Sequence, residues 1–180
     1  GGKNANIIFA DSDLEKAAAA APYAVFDNAG QDCCARTRIL VQRSAFDKFM
    51  EHFERAVKNV RVEDPNLESS EMGPLISKKQ LETVQSYLDE PVAFTGSAPT
   101  GKGFWMAPTV LLPKDAQARS WREEVFGPVV SVLPFDDEAD AIAKANDTEY
   151  GLSGSIWSQS IGRALRVARA VEVGVLSINT

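Results

Sequence analysis

Short apolar runs alternate along the chain with longer segments in which apolar residues recur every three or four positions. The short runs are NIIF at Asn6–Phe9, TRILVQ at Thr37–Gln42, VVSVLPF at Val129–Phe135, SGSIW at Ser153–Trp157 and VLSIN at Val175–Asn179. Rich in apolar residues, mostly β-branched, and bounded by polar or breaker residues, each predicts a strand. Asp13–Asn28 is alanine-rich with Asp11–Asp13 as capping acceptors, and predicts a helix that Pro22 kinks or delays. Phe46, Phe49, Phe53 and Val57 mark the buried stripe of a second helix within Ser44–Val60. Ser77, with Gln80 three residues on, has the capping-box spacing and opens a third. An acid-started helix follows Asp136, favourable to its dipole. Ser160 caps a last helix, for which the spacing predicts Ile161, Leu165, Ala168 and Val171 inside and the arginines outside.

Strand and helix alternate throughout, so the expected fold class is α/β: three layers, a largely parallel sheet with helices on both faces. Ligands of such sheets sit beyond the carboxyl ends of the strands. Asp89–Leu112 departs from the pattern, with Gly96, Pro99, Gly101 and Gly103 around VAFTG. It lacks the Lys-Ser/Thr of a phosphate-binding loop and predicts a surface hairpin.

Composition narrows the function. The chain has 180 residues, 44% hydrophobic and 24% charged, which fits one globular domain with a substantial core and neither a disordered nor a membrane-spanning segment. A net charge of −6 argues against a nucleic-acid surface. Cys33 and Cys34 are adjacent and cannot build a disulfide framework; the one histidine, His52, reads as a surface residue and leaves no zinc set. No metal is expected, and the compartment expected is a reducing cytoplasm. The chain opens on Gly1-Gly2-Lys3 without Met or signal peptide, as if cut from something longer.

Two stretches carry candidate chemistry. In FDNAGQDCCART, Phe26–Thr37, Gly30 lets the backbone leave the preceding helix and swing Cys33 toward a crevice before the next strand. A thiol there is a nucleophile if its environment lowers its pKa and leaves it accessible, and a small buried hydrophobe otherwise. Glu123-Glu124 before Phe126-Gly127-Pro128 reads on its own as solvated charge.

Phe26, Gly30, Gln31, Cys33, Cys34 and Ala35, spaced F-x-x-x-G-Q-x-C-C-A, resemble the active-site cysteine signature of the aldehyde dehydrogenase superfamily. GGKNANIIFADSDLEKA at the start, EEVFGPVVSV at Glu123–Val132, AND-x-x-YGLSGSIWS at Ala145–Ser158 and GVLSIN at Gly174–Asn179 extend the resemblance in family order over the whole chain. The resemblance implies that residues 1–180 are the catalytic, thiol-bearing domain, with the cofactor-binding domain and the C-terminal oligomerisation arm absent. It implies Cys33 as nucleophile, Cys34 as its non-catalytic neighbour, Glu124 as acceptor for the nicotinamide ribose hydroxyls and Phe126 against the nicotinamide. Phe104, Trp105, Pro108 and Val110 resemble the family's aromatic strand entering the core. The function implied is NAD(P)-dependent oxidation of a small-molecule aldehyde to a carboxylic acid through a thiohemiacetal and a thioester, with NAD or NADP as cofactor and a homodimeric or homotetrameric longer enzyme. The general-base glutamate would lie just before Gly1, so the isolated chain is expected to be inactive. The alternatives are a non-catalytic fold unit that takes up electrophiles at Cys33, and a relative that acylates coenzyme A.

Overall fold

The computed structural model describes residues 1–180. Its elements run β1 (Ala5–Ile8), α1 (Leu14–Phe26), β2 (Arg38–Gln42), α2 (Phe46–Lys58), α3 (Lys78–Gln85), β3 (Val92–Thr95), β4 (Thr109–Leu111), α4 (Arg119–Arg122), β5 (Val129–Phe135), α5 (Glu138–Asn146), β6 (Ser153–Trp157), α6 (Ile161–Ala170) and β7 (Val175–Ile178). They form one seven-stranded sheet in the order β3-β4-β5-β2-β1-β6-β7. Every pair is parallel except β3 with β4, which is the expected hairpin at one edge.

Alternation along the central strands sends side chains into two separate cores. Ile8, Ile39 and Val41 join Ala17, Ala21, Phe49, Phe53 and Val57 beneath α1 and α2. Ile7, Phe9 and Leu40 join Phe135, Ala141, Ala145 and Val167 beneath α5 and α6. The Phe9 and Phe135 rings meet edge to face at 5.1 Å. Full burial of each such ring stabilises the fold by about 1.5–3 kcal/mol. The three-layer arrangement is therefore the one expected. The expected position at the carboxyl ends is corrected: the Cys33 turn precedes β2, Gly1–Asn4 precede β1 and Glu124–Pro128 precede β5, so these segments meet at the amino ends of three parallel strands.

Capping follows the sequence: Asp13 Oδ1 accepts from Lys16 N, Ser77 Oγ from Gln80 N and Ser160 Oγ from Arg163 N. Three further expectations are corrected. Pro22, buried, lies inside an α1 that already begins at Leu14, so it does not delay the helix. Phe104 does not enter the core: it is 38% exposed and pairs in an isolated bridge with Leu75, so the buried strand begins only at Thr109. In α6, Ile161 and Leu165 are exposed while Ala164, Val167 and Val171 are buried. The apolar stripe Ala164, Val167, Ala168 and Val171, at helical spacing, is the one that packs on the sheet, and Arg163 beside it reaches Asp11 at 3.2 Å and covers the Phe9 ring at 4.9 Å.

Candidate active site

Between α1 and β2 the backbone makes a turn that few sequences tolerate. Asn28, Ala29 and Gly30 all have left-handed torsions, with φ of 51°, 56° and 69°. Each of the two non-glycines is strained by about 1–2 kcal/mol. Local bonds hold them: Asn28 Nδ2 donates to Gln31 O at 3.0 Å, and Gln31 Nε2 returns to Asn28 O at 3.1 Å. Gly30 is pressed against the Phe126-Gly127-Pro128 segment, where an added Cβ would overlap the Gly127 carbonyl oxygen. The cysteine turn and the glutamate segment are thus packed backbone to backbone.

The segment after Gly73, together with the first turn of α3, fastens both. Gln31 Oε1 accepts from Ile76 N at 2.9 Å, and Gln80 Nε2 donates to Phe126 O at 2.8 Å. Gln80 was the capping-box partner in the sequence; its side chain instead serves Phe126, whose own φ is 56° and whose ring is 37% exposed. Gly1-Gly2 lies alongside, with Gly2 N donating to Glu124 Oε1 at 3.0 Å. A Cβ on Gly2 would overlap the Cys33 carbonyl oxygen. Cys33, Glu124 and Phe126 are therefore brought to one place by three segments far apart in sequence.

The two adjacent carboxylates have different surroundings. Glu123 Oε2 accepts from the Tyr87 hydroxyl at 2.7 Å, and Arg119, which covers the Tyr87 ring at 4.4 Å, lies 3.5 Å from Oε1. The Tyr87 hydrogen bond, with help from Arg119, holds Glu123 below the usual carboxylate range. Glu123 belongs to this surface network, whereas Glu124 faces Gly1-Gly2 and Lys3.

Cys33 is exposed and Cys34 half-buried. Cys34 N donates to Asp32 Oδ1 at 2.8 Å, and one ligand atom from each of Asp32, Cys33 and Cys34 lies within 4.8 Å of the others. These are three donors from one exposed turn, one short of a tetrahedral structural set. The environment does not lower the Cys33 pKa, as a nucleophile on a turn was expected to require. It raises it: the hydrogen bond with the Cys34 thiol comes first, then partial desolvation, then the negative charge of Cys34 and Asp32. Asp32→Asn keeps the acceptor for Cys34 N but removes one charge, so it should speed alkylation of Cys33 at neutral pH about two- to threefold. Iodoacetamide labelling rates across pH check this, and an unchanged profile would mean that the carboxylate does not govern the thiol.

Two site residues escaped the sequence. Lys3 is 1% exposed, its Nζ has no hydrogen-bond partner, and burial followed by Arg38 repulsion lowers its pKa to about 7 against the pull of Glu124 and Glu123. Asn4 is 3% exposed and holds the cysteine turn through its side chain. Their signal was two polar residues directly preceding the short strand β1, which is buried along its whole length. Beside the turn lies a cavity of about 560 Å³, whose lining includes Tyr23, Asp27, Asp32, Arg36, Ser177 and Asn179.

A family model described as the aldehyde dehydrogenase family matches residues 1–180. The chain belongs to the aldehyde dehydrogenase family. Over its whole length it is 40% identical to the 2-aminomuconic 6-semialdehyde dehydrogenase of a Pseudomonas species and 39% identical to the 5-carboxymethyl-2-hydroxymuconate semialdehyde dehydrogenase of Escherichia coli. It covers 39% and 41% of those two proteins. The crystal structure of betaine aldehyde dehydrogenase from Staphylococcus aureus in complex with NAD+ superposes with a TM-score of 0.94 at 41% identity, over 99% of this chain and 37% of that one. An indole-3-acetaldehyde dehydrogenase complexed with NAD+ gives 0.95 at 35% identity, over 100% and 38%. As an aldehyde dehydrogenase family fold, the chain thus spans about two fifths of the relatives it matches, and its sheet and helices are theirs.

Proposed function

We propose that these 180 residues are the thiol-bearing catalytic part of an NAD(P)-dependent aldehyde dehydrogenase that oxidises an aldehyde to a carboxylic acid, the nucleotide-binding domain and oligomerisation arm lying outside them. The observation that carries this reading is the convergence on the Gly1-Gly2 backbone: Glu124 accepts from it, and the Cys33 carbonyl packs against it with no room for a Cβ. Two chemically different groups, a thiol and a carboxylate, are held there with the exposed Phe126 ring beside them.

Cys33 is the nucleophile. Its sulfur forms a bond to the aldehyde carbon while the carbonyl electron pair moves to oxygen, giving a thiohemiacetal. The Cys33 N–H has no acceptor within the chain and is available to that oxygen. Cys34 is not presented in the same way, being half-buried. The thiol proton must leave to a base other than His52, which is engaged on α2 by Arg55 Nη2 at 2.7 Å.

The residues present fit the nicotinamide end of NAD or NADP. Glu124 Oε1 is taken by Gly2 N, and Oε2 has no protein donor, leaving an acceptor for a ribose hydroxyl. Phe126 offers an exposed ring held by the Gln80 bond. The cofactor, when bound, supplies a hydride acceptor. Hydrolysis of the acyl thioester on Cys33 then releases the acid and restores the thiol.

In an enzyme that carries this chain with its flanking domains, aldehyde-dependent reduction of NAD+ or NADP+ is expected, and Cys33→Ser should lower kcat by roughly 10³-fold or more. Ordinary turnover in that variant would overturn the assignment. The isolated chain should take up one equivalent of iodoacetamide at Cys33 with no dehydrogenase activity; first labelling at Cys34 would name the other thiol.

A further inference from the structure

Asn4 stands immediately before β1 and donates both of its side-chain amide protons, to Cys33 O at 2.8 Å and to Ala35 O at 2.9 Å. Its Oδ1 accepts from Ser153 N at 3.0 Å, at the start of β6, and its backbone oxygen accepts from Arg38 N at 3.1 Å, at the start of β2. With the residue 3% exposed, the amide has no water to fall back on. It is fixed by two strands and in turn fixes the carbonyls on either side of Cys34.

We propose that Asn4 is a positioning residue that decides which of the two adjacent thiols is presented. Holding the Cys33 carbonyl orients the Cys33–Cys34 peptide plane, so the Cys34 N–H points to Asp32 Oδ1, where it is bound at 2.8 Å. Holding the Ala35 carbonyl fixes the far side of Cys34 in the same way. With both planes set, Cys33 is left exposed and Cys34 half-buried. Gly2 makes the arrangement possible: a Cβ there would lie 2.9 Å from Asn4 Nδ2 and overlap the carbonyl it serves. Asn4 touches neither sulfur and acts only through the backbone between them. The inference rests on Cys33 being the reactive thiol of the proposed function.

Asn4→Asp tests it. The substitution keeps the shape and the acceptor for Ser153 N, but loses both donors and sets a carboxylate oxygen against two carbonyl oxygens. The ratio of Cys33 to Cys34 alkylation by limiting iodoacetamide, read by peptide mass spectrometry on the native chain, should fall from above about 10 to about 1–3. Val167→Ala, which empties part of the core on the opposite face, should lower the unfolding midpoint and leave the ratio unchanged. If Asn4→Asp does not fold, hydrogen exchange on the unsubstituted chain decides: the Asn4 Nδ2 protons should exchange at least about tenfold more slowly than those of exposed Asn66. A ratio unaltered by Asn4→Asp, an equal fall in Val167→Ala, or unprotected Asn4 protons would overturn the role of Asn4. First labelling at Cys34 in the unsubstituted chain would overturn the nucleophile assignment instead, and this role with it.

Discussion

Gly30→Ala should destabilise the chain by about 2–5 kcal/mol and abolish the preference for Cys33 over Cys34 in labelling. Two effects combine. The backbone at Gly30 has φ of 69°, a region that costs alanine about 1–2 kcal/mol. The new Cβ would also lie 2.5 Å from the Gly127 carbonyl carbon and 3.0 Å from Pro128 N, atoms of a backbone that cannot swing aside as a side chain could. Relieving that overlap separates the cysteine turn from the Phe126-Gly127-Pro128 segment, and Glu124 moves with the segment. Gly101 provides the comparison, since its φ of 105° is equally unusual but a Cβ there meets nothing within 4 Å. Urea midpoints of the two alanine variants separate backbone strain from overlap. If Gly30→Ala loses no more than Gly101→Ala, the close contact is not what holds the two segments together.

The second large effect has the opposite sign. Lys3→Met should stabilise the chain at pH 6 by about 1–4 kcal/mol, because an amine buried without a hydrogen-bond partner is replaced by an apolar side chain of similar length. The pH dependence identifies the cause. Lys3 titrates at about 7 in the folded chain, against an ordinary value of 10.5 that it regains on unfolding. Between those values the folded state has lost the proton and the unfolded state still binds it, so unfolding takes up a proton and stability rises with pH. Below about 7 the charge is present in both states and its burial is felt in full. The advantage of Lys3→Met should therefore be largest below pH 7 and shrink toward pH 10.5. Denaturation curves that differ by a constant amount over that range would show that ionisation of Lys3 is not the source. The same substitution removes a cation from beside Glu124.

The fold was legible because short apolar runs and capped amphipathic segments each report on their own neighbourhood. Ser77, Asp13 and Ser160 cap where they should, and Phe49, Phe53 and Val57 bury as their spacing implies. Failures came at α6 and at the site. The inner face of α6 is the stripe Ala164, Val167, Ala168 and Val171, which has helical spacing but small side chains, so the bulkier Ile161 and Leu165 drew the sequence reading to the wrong face; Arg163 beside it pairs with Asp11 and Phe9, more than 150 positions away in sequence. At the site, the resemblance pointed to Cys33, Glu124 and Phe126, and the structure brings their segments together. It could not point to the raised thiol pKa, which arises because the local conformation sets the side chains of the sequence neighbours Cys34 and Asp32 against Cys33. Ala29 at φ of 56° gives no sequence signal at all, since alanine ordinarily avoids that conformation.

The strand order bears on how the molecule is made. β1, at the start of the chain, is central to the sheet, and one of its two neighbours is β6, paired as Ala5 with Gly154. The Asn4 side chain likewise waits for Ser153, 149 positions later. Contacts so far apart form late and slowly, because a long stretch of chain must be ordered before they can be made. During synthesis the two thiols therefore emerge more than a hundred residues ahead of the strand that completes their support. Until β6 joins β1 they belong to an unfinished sheet, and on the proposed role of Asn4 the distinction between Cys33 and Cys34 arises only once that pairing is made.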